Sequence, residues 1–241
     1  MAEMKKKDFV ELEYTGRIKD NDLVFDTTDE KLAKETGLHQ EGMEYGPVTV
    51  CIGEGQILPG LEEELIGKET GKKYTVEIPP EKAFGKKDAK LIRMIPMSAF
   101  RKQQIMPEIG MQVNIDGSIG IIKTASGGRC LVDFNHPLAS KELVYDVKVG
   151  NIVTDDKKKL ESYLKLAFGL KDVKVEMQDK KAKINIKREA PEGLEEQLNK
   201  KIKEVIPGIE NVELVLEKKE DKEKKSAEVK QEKSEEKPEK K

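Results

Sequence analysis

The sequence predicts an α+β protein: an antiparallel sheet closed over one short helix, a mainly β segment inserted into it, and a separate α-β-β-α-β domain. Three observations carry this. Apolar residues alternate with polar ones in short runs before Ile78 and again from Leu143 to Val149. The residues between those runs are rich in Met and Ile and follow a rhythm of their own. Beyond Asp155 the apolar period changes to that of a helix, then back to two, then to helix again.

Val10, Leu12 and Tyr14 alternate with charged neighbours as a half-buried strand does, and Thr15-Gly16 is expected to close the run. Val24-Phe25 begins a second strand. Asp29 to Gly37 reads as a short helix with a glycine stop. Val48, Val50 and Ile52 resume the period of two. Pro59 to Gly67 follows as a helix of two turns, with Leu61 and Leu65 on one face and Gly67 as its C-terminal cap. Tyr74, Val76 and Ile78 form a strand ended by Pro79-Pro80, and Leu143, Tyr145, Val147 and Val149 complete the sheet.

Between Lys86 and Arg129 the apolar residues are Met94, Ile95, Met97, Phe100, Ile105, Met106 and Met111, followed by a hairpin of Val113-Ile115 and Ile119-Ile121 turning at Asp116-Gly117. This is expected to be a small inserted domain. The predicted division is 1–86 with 131–153 for the sheet domain, 87–130 for the insert and 154–216 for the C-terminal domain. In the last of these, Leu160, Tyr163, Leu164, Ala167 and Phe168 mark one helix, and Pro191 opens a second through Leu194, Leu198, Ile202 and Val205. Strands carry Val173-Met177, Ala182-Ile186 and Val212-Leu216. Residues 217–241 are nearly all Lys and Glu, with no apolar face to bury, and are expected to be a disordered, solvated tail.

Composition narrows the function classes. The net charge is -2, so the basic excess of a nucleic-acid binder is missing, and Lys balances Glu in the tail. No run approaches the roughly 20 apolar residues that cross a bilayer, and the first residues lack the apolar core of a signal peptide. The expectation is a cytoplasmic protein without a membrane partner. Cys51 and Cys130 sit in alternating apolar patterns and are expected to stay reduced. His39 and His136 have no Cys or second His at ligand spacing, so neither a metal nor a cofactor is expected. His136 reads as a turn residue.

The chemistry concentrates in separated motifs: Tyr14, Val24-Phe25-Asp26, Gly53 through Gly60-Leu61, Ile78-Pro79-Pro80-Glu81 with Ala83-Phe84-Gly85, and Leu143 to Val147. In that order they resemble the FKBP-type peptidyl-prolyl cis-trans isomerase family. Asn135-His136-Pro137-Leu138-Ala139, returning to the sheet after the insert, is similar to the branch with an insert-in-flap domain, typified by SlyD. The appended α/β domain looks like that of the long archaeal form.

The resemblance implies catalytic roles for Tyr14, Asp26, Phe84 and Tyr145, and a proline cradle of Phe25, Ile57, Leu58 and Leu61. The Leu58 N–H is carried over as a donor to substrate, and Asp26 as an electrostatic group without a proton-transfer role. Leu61 stands where many relatives have Trp, and Phe84 where Tyr is usual. Met94, Ile95, Met97 and Phe100 of the insert are expected to bind unfolded or partly folded polypeptides, since methionine repacks around varied apolar partners. The competing reading is a binding-only holdase. The C-terminal domain is expected to form a homodimer rather than to meet nucleic acid through its lysines at 157–159 and 180–181.

Overall fold

The structure is a computed structural model that describes residues 2–170, 173–186 and 193–216. Contacts divide the chain into two compact units, Met1–Ile152 and Val153–Lys241. The whole is mixed α+β, with mainly antiparallel sheets and few helices. Among the described residues no helix is long and apolar enough to cross a membrane.

In the first unit β1 (Phe9–Ile18) is the organising strand. It pairs antiparallel with β2 (Val24–Thr27), β3 (Val48–Cys51) and β9 (Leu143–Ile152), and β9 in turn pairs with β4 (Lys73–Ile78). The strand does not end at Thr15-Gly16 as the glycine suggests. It continues to Ile18, with Gly16 inside it opposite both Asp26 and Tyr145. Helix α1 (Glu30–Glu35) starts where Asp29 accepts the Lys31 and Leu32 N–H groups. Helix α2 (Pro59–Leu65) has no side-chain cap, and Pro59 at its start removes one of the N–H groups that a cap would satisfy. It presses on β4 so closely that a Cβ at Gly60 would lie 2.5 Å from Ile78 and 2.8 Å from Lys82. Leu61 and Leu65 thereby join Phe9, Leu12, Ile52, Ile78 and Leu143 in a fully buried core.

The inserted segment has its own sheet, in the order β5 (Ile92–Pro96), β8 (Arg129–Asp133), β7 (Ser118–Ser126), β6 (Gln112–Ile115), with helix α3 (Met97–Lys102) after β5. The hairpin turns at Asp116 and Gly117, both at positive φ, as a tight two-residue connection requires. Phe100, Val113, Ile122, Cys130 and Val132 form its core, and Ile95, Met97 and Met111 pack against them. Strand β8 stays paired with β5 and β7 through Asp133, so the chain leaves this sheet after 133. Cys51 and Cys130 are buried and are not in a disulfide.

Two chain segments connect the insert to the first sheet, and they are cross-linked. Asn135 accepts the Asp88 N–H at 2.8 Å and donates to Asp88 O at 3.1 Å and to the Asp133 carboxylate at 2.8 Å. Lys87 pairs with buried Asp133 at 3.1 Å, and Ser140 binds the backbone of Gly85 and Lys87.

The second unit runs α4 (Asp156–Ala167), β10 (Lys174–Gln178), β11 (Lys181–Ile186), α5 (Leu194–Val205), β12 (Asn211–Leu216). Strands β10 and β11 are antiparallel, and β12 lies parallel to β11 after the α5 crossover. Asn199 of α5 binds both the N–H and the C=O of Val212. The expected helix start at Pro191 and the charged tail at 217–241 lie outside the described residues.

Candidate active site

The site grows from an irregularity in strand pairing. Between β1 and β2 the register jumps from Gly16↔Asp26 to Arg17↔Val24, leaving Phe25 as an extra residue in a β-bulge. Regular alternation would send Phe25 and Asp26 to opposite faces of the sheet. The bulge re-aims one of them, and both line the same cavity. Gly16 supplies the second condition. It sits between Asp26 and Tyr145 in one cross-strand row, and a Cβ there would come within 2.8 Å of Phe25 and 2.9 Å of Tyr145. The missing side chain is the space that the Phe25 and Tyr145 rings occupy.

The third wall is the loop before α2. The Gln56 side chain accepts the Cys51 N–H at 2.8 Å, and the buried Glu62 carboxylate accepts the Gly55 N–H at 3.2 Å. These bonds hold the loop whose Ile57 and Leu58 line the cavity together with buried Leu61. The Leu58 N–H has no hydrogen-bond partner among the described residues.

The result is a hollow of about 510 Å³ lined by Tyr14, Phe25, Asp26, Ile57, Leu58, Leu61, Phe84 and Tyr145, together with Gln56, Pro59, His136 and Leu138. Phe25 meets Tyr145 edge-on at 5.7 Å and Phe84 edge-on at 6.5 Å, while Tyr14 and Tyr145 are tilted at 5.8 Å. His136 lies flat on Phe84, with centroids 4.2 Å apart and planes 6° apart. Its Nδ1 also accepts the Leu138 N–H at 3.2 Å, so it is a turn residue and a wall residue at once. Sequence reading reached the turn role only. Neither Gly16 nor His136 announces its part locally, because both act through residues distant in the chain.

Asp26 is the one acid in this hollow. Burial pushes its carboxyl above the ordinary carboxylate range, against the pull of hydrogen bonds from the Tyr14 O–H and the Thr27 N–H. Burial, then the Asp26 charge and the bond to it, push the Tyr14 phenol up to about 12. Burial foremost, followed by the charge of Asp26 and the presence of Tyr14, also raises the Tyr145 phenol. A second, larger hollow of about 740 Å³ involves Glu13, Thr15, Lys73, Thr75, Asp146 and Lys148. Lys148 pairs with Glu13 there at 2.8 Å, Asp29 and Glu30 add further acid, and its rings are those of Tyr14, Tyr45 and Tyr74.

The insert residues divide. Met94 is 60% exposed, and Ile95 and Met97 are half-buried against the insert core. Phe100 is 3% exposed at the centre of that core. It is therefore a packing residue of the insert and not part of its surface, because α3 turns its ring onto Val113, Ile122 and Val132. Met106 and Ile109, at 80% and 72% exposure, carry apolar surface in its place.

Comparison with known proteins agrees with this geometry. Residues 93–138 match a family model described as "FKBP26, IF domain". A short-type peptidyl-prolyl cis-trans isomerase of Methanocaldococcus jannaschii is 36% identical over 149 residues, covering 62% of this chain and 94% of that protein. A probable FKBP-type 16 kDa isomerase of Pseudomonas fluorescens is 34% identical over 109 residues, covering 44% of this chain and 73% of the relative. SlyD of Vibrio cholerae is 35% identical over 107 residues, covering 43% and 53% respectively. The protein is a peptidyl-prolyl cis-trans isomerase and belongs to the FKBP-type family.

Proposed function

We propose that the protein rotates X-Pro bonds in folding polypeptides in the cytoplasm, that the hollow beside Asp26 performs the rotation, and that the insert holds the unfolded chain meanwhile. The observation that carries this reading is the convergence of Tyr14, Phe25, Phe84 and Tyr145 on one cavity with a single carboxylate.

A planar amide resists rotation by about 18 to 20 kcal/mol, because twisting destroys its conjugation. No bond breaks, so neither nucleophile nor cofactor is required of this chain. The twisted amide has less charge separation than the planar one, and a dry cavity with few polar groups favours it. Phe25, Ile57, Leu61 and Phe84 take the proline ring, and the Leu58 N–H holds the substrate backbone. Tyr14 keeps the Asp26 carboxylate fixed beside the reacting amide.

Client binding falls to Met94, Met106, Ile109 and Ile119, which are 59–80% exposed on the insert. Flexible thioethers and open aliphatic surface suit a site that accepts many sequences. The insert-in-flap arrangement then gives the cavity a high local concentration of tethered chain. The α-β-β-α-β unit serves as a homodimer module in this reading, because its three strands, in the order β10-β11-β12, leave a sheet edge that a second copy can cover.

The test replaces residues 92–133 with a short glycine-rich turn. Ile92 and Asp133 are paired neighbours, so the cut removes β5 to β8 and leaves Asp88 and Asn135 in place. Isomerisation of a short X-Pro peptide is expected to stay within about twofold, while proline-limited refolding of a protein slows on the order of a hundredfold. Equal losses in both assays contradict the division of labour. A chain that binds unfolded protein yet never speeds the peptide is instead a holdase.

A further inference from the structure

Two phenols face the catalytic hollow, and they are in different states. The Tyr14 hydroxyl is engaged with Asp26. Tyr145 is only 3% exposed, its ring is wedged between Phe25 and the bare backbone of Gly16, and its hydroxyl has no hydrogen-bond partner among the described residues. Asp26 lies in the same cross-strand row but takes its bonds from Tyr14 and Thr27. That hydroxyl is not among the side-chain atoms sealed from solvent without a partner, so it opens on the hollow that Tyr145 lines, where a substrate can reach it.

The chemistry of the amide says what such a donor can do. In the planar amide the nitrogen lone pair is shared with the carbonyl and accepts no hydrogen bond. A donor placed on the carbonyl oxygen would strengthen the conjugation and oppose rotation. Twisting returns the lone pair to nitrogen, so a donor aimed there meets an acceptor only near the top of the barrier. We infer that the Tyr145 hydroxyl donates to the substrate's prolyl nitrogen as the amide twists, in a bond that exists only in the transition state. Burial keeps this phenol protonated, and hence a donor, well past neutral pH. The inference rests on the isomerase reading of the cavity and adds to it the group that distinguishes twisted from planar substrate.

Tyr145→Phe in the full chain removes the hydroxyl and keeps the ring. Exchange NMR of a short X-Pro peptide over a range of concentrations yields kcat and KM separately. The expected result is a fall in kcat of about fivefold to tenfold, the worth of one hydrogen bond, with KM unchanged and a melting temperature close to that of the parent, since the ring keeps its place. An unchanged kcat overturns the inference. So does a loss confined to KM, since the hydroxyl would then serve the ground state. In both cases the isomerase reading survives on the parent's own rate, whereas a parent without activity removes both.

Discussion

The first sheet and the insert sheet are made from the same material, alternating antiparallel strands with short helices, yet they use their apolar side chains oppositely. Around β1 the aromatic rings turn inward on a hollow whose shape is set by Gly16, the Phe25 bulge and the loop bonds of Gln56 and Glu62. In the insert a compact core around Phe100 and Ile122 leaves Met94, Met106 and Ile109 outside it. Fixed geometry suits a transition state of one shape, and adaptable surface suits clients of many shapes.

The largest effect should come from the insert core. Phe100→Ala removes a buried ring from a five-residue cluster, at a cost of about 3 to 5 kcal/mol. The expected outcome is selective loss of the insert's structure, read by hydrogen exchange at β5 to β8, while β1 and β9 stay protected. Exchange rising equally in both sheets would mean that they are one cooperative body, and the contrast would fail.

Next is Gly16→Val, which sets a branched side chain where only 2.8–2.9 Å separates a Cβ from two rings. Overpacking of this kind costs about 1 to 3 kcal/mol. More tellingly, displaced Phe25 and Tyr145 rings should lower peptide isomerisation by tenfold or more on the scale of misplaced catalytic groups. Binding of an unfolded, proline-free chain should be unaffected. A variant of full activity would mean that the rings need no such close seat.

Asp26→Asn sharpens the electrostatic side. Because burial raises this carboxyl, the folded state holds the proton to higher pH than the unfolded chain does. The stabilising contribution is fully present below the unfolded value of about 3.9 and is lost as pH rises through the folded value. The amide variant escapes that loss, so it should melt above the parent at neutral pH and converge with it in acid, while losing isomerase rate. A parent that melts higher at neutral pH contradicts the assigned environment.

The smallest effect on stability is expected from Met94→Asp combined with Met106→Asp, within about 0.5 kcal/mol because both side chains are exposed. Client binding should nevertheless weaken sharply by surface assay, with peptide isomerisation untouched. Retained client binding would move the holding surface elsewhere.

Much of this contrast was legible in the sequence. Alternation located β1, β4 and β9, and ordered motifs named Tyr14, Phe25, Asp26, Ile57, Leu58, Leu61, Phe84 and Tyr145, all of which share one cavity. Illegible features depend on register. A period of two puts neighbours on opposite faces, so the bulge that brings Phe25 beside Asp26 leaves no mark in it. Gly16 looked like a strand end, because the rings that require it come from positions 25 and 145. His136 meets Phe84 across the whole insert. In the insert, apolar character alone does not separate core from surface, so the sequence makes Phe100 and Met94 look alike, and only the turn of α3 sets them apart.

The central claim is that the hollow beside Asp26, and not the insert, lowers the torsional barrier. The direct measurement is the cis-trans exchange rate of a short X-Pro peptide under substoichiometric full-length protein, compared with Phe25→Ala. The account predicts fast exchange with the parent and a loss of most of that acceleration in the variant, with binding of a proline-free unfolded chain preserved. Undiminished exchange with Phe25→Ala would contradict it.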